Sequence, residues 1–143
     1  MVDIVQPPSP RPCESCPYRR DVASAIWDPE EYDKLSRYDG EMASQPQGVF
    51  LCHQHNRGDV RSRICGGWLG CHGPDNLLGI RLAILQNRLT GEDLTAVLNY
   101  ESPIPLFSSG ADAATHGGRD ISHPSSATVQ AITKIVRRRA DLD

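Results

Sequence analysis

Cys13-Glu14-Ser15-Cys16-Pro17-Tyr18-Arg19-Arg20-Asp21-Val22 is the stretch whose reading decides the fold. A CxxC pair is the shortest loop that places two sulfurs on one metal while turning its backbone amides toward them. A redox CxxC follows a strand and opens a helix in a βαβ setting. This one follows a Pro-rich arm and runs into Pro17, so metal ligation is the reading its context favours. Outward along the chain stand Cys52 and Cys65, from separate segments, which complete a four-thiolate set, and then Cys71. His53 and His55 flank Gln54 just after Cys52, and His72 follows Cys71. Each can replace a cysteine as ligand or donate a hydrogen bond to a bound sulfur. Any cysteine outside the CxxC pair can equally be a buried core thiol.

Composition explains why such a centre is useful. The chain has 143 residues, 38% of them hydrophobic and 6% aromatic, with 12 Gly and 11 Pro. A single domain with so few large side chains gains from a staple, and metal binding lends its free energy to folding. The first eight residues have neither the basic nor the apolar region of a secretory signal, and no apolar run has the length of a membrane span. The expectation is a cytoplasmic protein that makes no membrane contact, in which five cysteines point to metal chemistry before disulfides. The net charge of −3 argues against a generally basic nucleic-acid coat. Arg57, Arg61 and Arg63, and Arg137-Arg138-Arg139 at the end, nevertheless concentrate positive charge.

The rest of the chain reads as helices joined by irregular loops. Residues 1–12, with four prolines, form an extended arm, and residues 13–143 one domain, with the metal site within 13–72 and a helical part from 73 onward. Asp28-Pro29-Glu30-Glu31 opens a helix to about Tyr38, with Tyr32, Leu35 and Tyr38 inward. Residues 40–48 are a polar loop; Val49 to Cys52 is a short strand that delivers Cys52, and Gly66-Gly67 lets backbone pass close to a neighbour. Leu77 to Leu89 is the main core helix, with Leu77, Leu78, Leu82, Leu85 and Leu89 at helical spacing and Ile80 and Ile84 widening the face. Thr90 restarts a helix to about Leu98, and Ser109 opens one that Gly117-Gly118 closes. Ser125 or Ser126 begins the last, with Val129, Ile132 and Val136 on one face. The fold class is a small mainly-α domain with at most short strands, organised around a cysteine-ligated metal centre.

Cys13-x2-Cys16-Pro17-Tyr18-Arg19-Arg20-Asp21-Val22, Trp27 before Glu31-Tyr32, and Phe50-x-Cys52-His53-Gln54 resemble the DUF6283 family. Cys65-x-Gly67-Trp68 with His72-Gly73, Pro105-Leu106-Phe107 to Ser109-Gly110, and His116-Gly117 extend the resemblance over roughly residues 12–121. It implies a small Cys/His-motif protein of bacteria and phages, favours Cys13, Cys16, Cys52 and Cys65 as ligands, and implies no activity. A fainter analogy, through Cys65-x5-Cys71 around Gly-Gly-Trp, is to the WhiB-like iron–sulfur regulators, whose cysteine order differs.

Zinc is the first metal to expect, because it suits cysteine-rich modules with histidines nearby. A [4Fe–4S] cluster is the close rival, since scattered single cysteines and a Cys-Pro step occur in cluster proteins. A closed four-thiolate set leaves no coordination position for substrate. The functional expectation is therefore a non-enzymatic module that binds a protein or nucleic-acid partner, with Tyr18, Arg19, Arg20, Trp27 and Trp68 as its contact surface. A cluster-based redox sensor or transcription regulator is the second reading. A metalloenzyme comes last, because nothing in the spacing selects Glu14, Asp59 or Asp75 as a base.

Overall fold

The computed structural model describes residues 4–52 and 62–138. Among these residues are six α-helices: α1 (Pro29–Asp33), α2 (Gly66–His72), α3 (Leu78–Leu85), α4 (Gly91–Leu98), α5 (Gly110–Gly117) and α6 (Ser126–Arg138). Single turns of 3-10 helix cover Leu35–Tyr38, Met42–Ser44 and Pro74–Asn76. Extended pairing among the described residues is confined to two antiparallel bridges, Arg19 with Leu106 and Leu51 with Ile64. The fold is small, mainly helical and rich in irregular loops, as the sequence indicates.

Several boundaries differ from expectation, each for a local reason. The helix from Pro29 changes to 3-10 geometry at Leu35, and Asp28 makes no side-chain cap. Its inward residues are nonetheless Tyr32, Leu35 and Tyr38, all buried. The strand expected at Val49 to Cys52 shrinks to the Leu51 bridge, too short a pairing to build a ladder. The core helix is the largest correction. It stops at Leu85, because Asn87 takes a left-handed φ of 58° and turns the chain. Its buried residues are Gly79, Ile80 and Ala83, whereas Leu85 is 78% exposed. Leu77 and Leu89 are buried from outside the helix, one at each end. On α6 Thr128 and Ile135 are buried; of the expected face of Val129, Ile132 and Val136, Ile132 packs inward and the two valines are exposed.

The main core is an aromatic stack around Trp68. Its ring lies stacked on Phe50 at 6.2 Å and meets Tyr38 edge-on at 5.5 Å, while Tyr18 meets Phe50 edge-on at 6.2 Å. Such pairs contribute about 0.5–1.5 kcal/mol beyond burial, so few aromatics suffice when they converge. A smaller cluster of Val22, Ile26 and Ile135 fastens α6 to the loop after the CxxC turn.

The Pro-rich arm belongs to the packed body. Val5 is buried and donates its amide to the Arg88 carbonyl, and the Ile64 amide donates to the Gln6 carbonyl. Gln45 is buried in the loop read as merely polar. Its amide nitrogen reaches the carbonyls of Asn76, Gly40 and Tyr38, and its oxygen accepts from Leu78 N–H at 3.0 Å, satisfying an open donor at the start of α3.

Candidate metal centre

Two local structures bring four cysteines together. The CxxC segment is wound into consecutive turns: Cys16 N–H donates to the Cys13 carbonyl at 3.0 Å and Arg19 N–H to the Cys16 carbonyl at 3.1 Å. This puts both sulfurs on one side of the segment. The Leu51–Ile64 bridge supplies the other two. Cys52 N–H donates to the Arg63 carbonyl and Cys65 N–H to the Phe50 carbonyl, each at 2.8 Å, so Cys52 and Cys65 stand on the two paired segments.

The sulfurs meet as two pairs. Cys16 Sγ lies 3.7 Å from Cys65 Sγ, and Cys52 Sγ lies 3.6 Å from Cys13 Sγ. The contacts are pairwise: among the described residues, no group of three or more His, Cys, Asp or Glu stands as a formed metal-holding set. All five cysteines are thiols.

Packing fixes the inner pair. Cys65 is the N-cap of α2 and its Sγ accepts the Trp68 N–H at 3.4 Å. Gly67, the second residue of α2, is where close approach requires glycine. A Cβ there would collide with Cys16 Sγ and stand 2.8 Å from the Tyr18 Cβ. The Gly-Gly pair noted in the sequence therefore has a partner, and that partner is the sulfur site.

Charge within the group is unevenly held. The thiols of Cys16 and then Cys52 draw the Cys13 thiol well below its ordinary pKa. Cys16 is pushed well above its own by its contacts with Cys13 and Cys65 and by burial. Ser15 Oγ lies 3.9 Å from Cys13 Sγ, and the Ser15 carbonyl accepts the Trp27 indole N–H at 3.1 Å.

The other sequence candidates fall elsewhere. Cys71 follows Cys65 on α2, and among the described residues no sulfur contact joins it to the four; burial pushes its thiol up to about 12. His72 turns into the aromatic core, with Nε2 3.2 Å from Tyr18 Oη and Nδ1 3.8 Å from Asp39 Oδ1. Burial lowers its pKa, and the Asp39 charge opposes this only in part. Burial, foremost, pushes the Tyr18 hydroxyl well above its ordinary pKa. Asp39 in turn accepts Gly110 N–H at 2.7 Å and Ala111 N–H at 2.8 Å, capping α5. His116 Nε2 lies 2.6 Å from the Val22 carbonyl, a structural tie. His53, His55, Arg57, Asp59 and Arg61 lie outside the described residues.

The expected contact surface is corrected. Tyr18 and Trp68 are fully buried core residues, and Trp27 is partly buried. Arg19 is spent on a two-pronged pair with Asp21, both contacts at 2.7 Å, and on the Pro12 carbonyl. Arg20 alone of the five is exposed, with its guanidinium 6.0 Å from the Phe107 ring centre. Sequence reasoning missed Asp39 and Gln45; a polar loop residue gives no signal of a partner 31 or 71 positions away.

The chain belongs to DUF6283, a family of unknown function, whose model matches residues 8–139. No curated protein matches the chain. No solved structure matches it either. None of the helices among the described residues is long and apolar enough to cross a membrane.

Proposed function

We propose that Cys13, Cys16, Cys52 and Cys65 close on one metal ion, with zinc preferred over a [4Fe–4S] cluster. The chain is then a metal-stapled, non-enzymatic module that acts by binding a protein or nucleic-acid partner. The observation that carries this is the pair of sulfur separations, 3.6 and 3.7 Å, between segments far apart in sequence. A zinc–sulfur bond of about 2.3 Å gives a tetrahedron edge of roughly 3.8 Å. Thiols at contact distance therefore already approximate the edges of a mononuclear site. In a [4Fe–4S] cluster each cysteine caps a different iron, which holds the sulfurs well apart.

Four thiolates fill a tetrahedral ion and leave no position for a substrate or an activated water, which supports a scaffold over a catalyst. Elemental analysis of the purified chain tests the reading. One zinc per chain, lost in Cys16→Ser or Cys52→Ser, is the expected result. Absorption at about 400 nm in anaerobically purified protein would move the assignment to the cluster and to a sensing or regulatory role. Unchanged metal in both variants would remove the four-thiolate set.

A further inference from the structure

The four sulfurs differ in one way that matters for chemistry, how far each is buried. Cys16 and Cys65 are 1% and 3% exposed, one packed under Gly67 and the other capping α2. Cys13 and Cys52 are partly exposed, and their sulfurs form the other contact pair at 3.6 Å. Each pair joins one CxxC sulfur to one sulfur from the bridge segment. The partly exposed pair is therefore already matched across two segments.

We propose that the centre is a peroxide-responsive metal switch that opens at the Cys13–Cys52 edge. This rests on the metal reading above. In the step, a lone pair on the Cys13 thiolate sulfur attacks one oxygen of a hydroperoxide. An S–O bond forms, the O–O bond breaks, and the departing oxygen leaves as water after taking up a proton. The Cys52 sulfur then attacks the Cys13 sulfenic acid, an S–S bond forms, and the S–O bond breaks with loss of a second water. Two thiolates, one hydrogen peroxide and two protons give one disulfide and two waters. The sulfurs give up two electrons and the peroxide accepts them.

Closing the pair asks the sulfurs to move from 3.6 Å to about 2.05 Å. Cys16 and Cys65 remain as two thiolates, too few for a stable tetrahedral zinc site, so the ion leaves. The Cys16–Cys65 pair has similar spacing but is shielded, and a peroxide reaches the outer pair first. Cys71, without a sulfur contact among the described residues, takes no part.

The test uses the full chain loaded with zinc, with zinc content measured before anything is added. Equimolar hydrogen peroxide is then added, with a chromogenic zinc indicator, intact-mass measurement and peptide mapping as readouts. The expected result is one zinc released for each disulfide formed, a mass lower by two hydrogens, and a Cys13–Cys52 cross-linked peptide. Cys71→Ser should behave identically, and a thiol reductant with added zinc should reload the site. Zinc retained under peroxide would overturn the proposal, as would a disulfide mapped to Cys16–Cys65 or to Cys71. A chain that takes up no zinc beforehand removes the centre itself and the switch with it, and the first measurement tells the two failures apart. Cys13→Ser should lose peroxide-driven disulfide formation; if that variant does not fold, the peptide map of the unaltered chain still decides.

Discussion

At the scale of single residues, Gly67 and His72 carry the most testable consequences. Gly67→Ala puts a methyl group into the Cys16 sulfur and the Tyr18 side chain. Overpacking of this kind costs about 1–3 kcal/mol, and here it also displaces a proposed ligand. The variant should melt at lower temperature and bind less metal, whereas Gly48→Ala, with open space around its Cβ, should keep its metal content. Cys71→Ser should keep its metal as well, since no sulfur contact ties Cys71 to the group among the described residues; loss of metal there would mean a different fourth ligand. His72 sets a pH dependence. Its folded-state pKa lies below the ordinary 6.5, chiefly through burial. As pH falls from 6.5 toward that lower value, the unfolded chain takes up a proton that the native state refuses. His72 therefore withdraws stability across that window and withdraws none above it. Urea unfolding at neutral and mildly acidic pH, compared between the parent and His72→Gln, should show a shallower pH dependence in the variant. Both proteins share the thiols, so the difference isolates the imidazole. At this scale the sequence singled out the four cysteines whose sulfurs the fold brings together, and was silent for Asp39 and Gln45, whose roles depend on distant backbone.

Among the elements, α5 shows how legibility depends on where the partner lies. Its bounds follow from Ser109, which accepts the Asp112 N–H at 3.0 Å, and from the glycines at its end. Its docking follows from features the sequence does not announce. Gly110 lies against the Leu35 carbonyl and Gly117 against the Tyr32 ring, each too close for a Cβ, and Asp39 caps the first turn. Asp39→Ala should cost about 1 kcal/mol, the usual loss for an N-terminal cap. Gly110→Ala should cost more, because the Leu35 carbonyl belongs to backbone and cannot rotate aside. Denaturant midpoints of the two variants check the order. The core helix misled for a related reason: Leu77 to Leu89 has helical spacing throughout, but Asn87 turns the chain and Leu85 is left facing outward. Periodicity marks which residues can share a face, and a turn decides which of them do.

For the whole molecule, the resemblance carried by the cysteine, histidine and tryptophan motifs, over roughly residues 12–121, covers most of the matched range of 8–139. Those same motifs supply the four thiols, the Gly67 contact and the Trp68-centred stack. The core and the sulfur group are continuous: Trp68 packs the aromatics and donates its amide to Cys65, and Tyr18 lies between Gly67 and His72. Removing the proposed metal should therefore loosen the core as well as the site, lowering thermal stability by more than any substitution above. The most direct test of the central claim is the metal-edge X-ray absorption spectrum of the chain purified without added metal. A single zinc shell of four sulfurs at about 2.3 Å is the result the account predicts. A chain without bound metal, or an ion held mainly by nitrogen and oxygen, would contradict it.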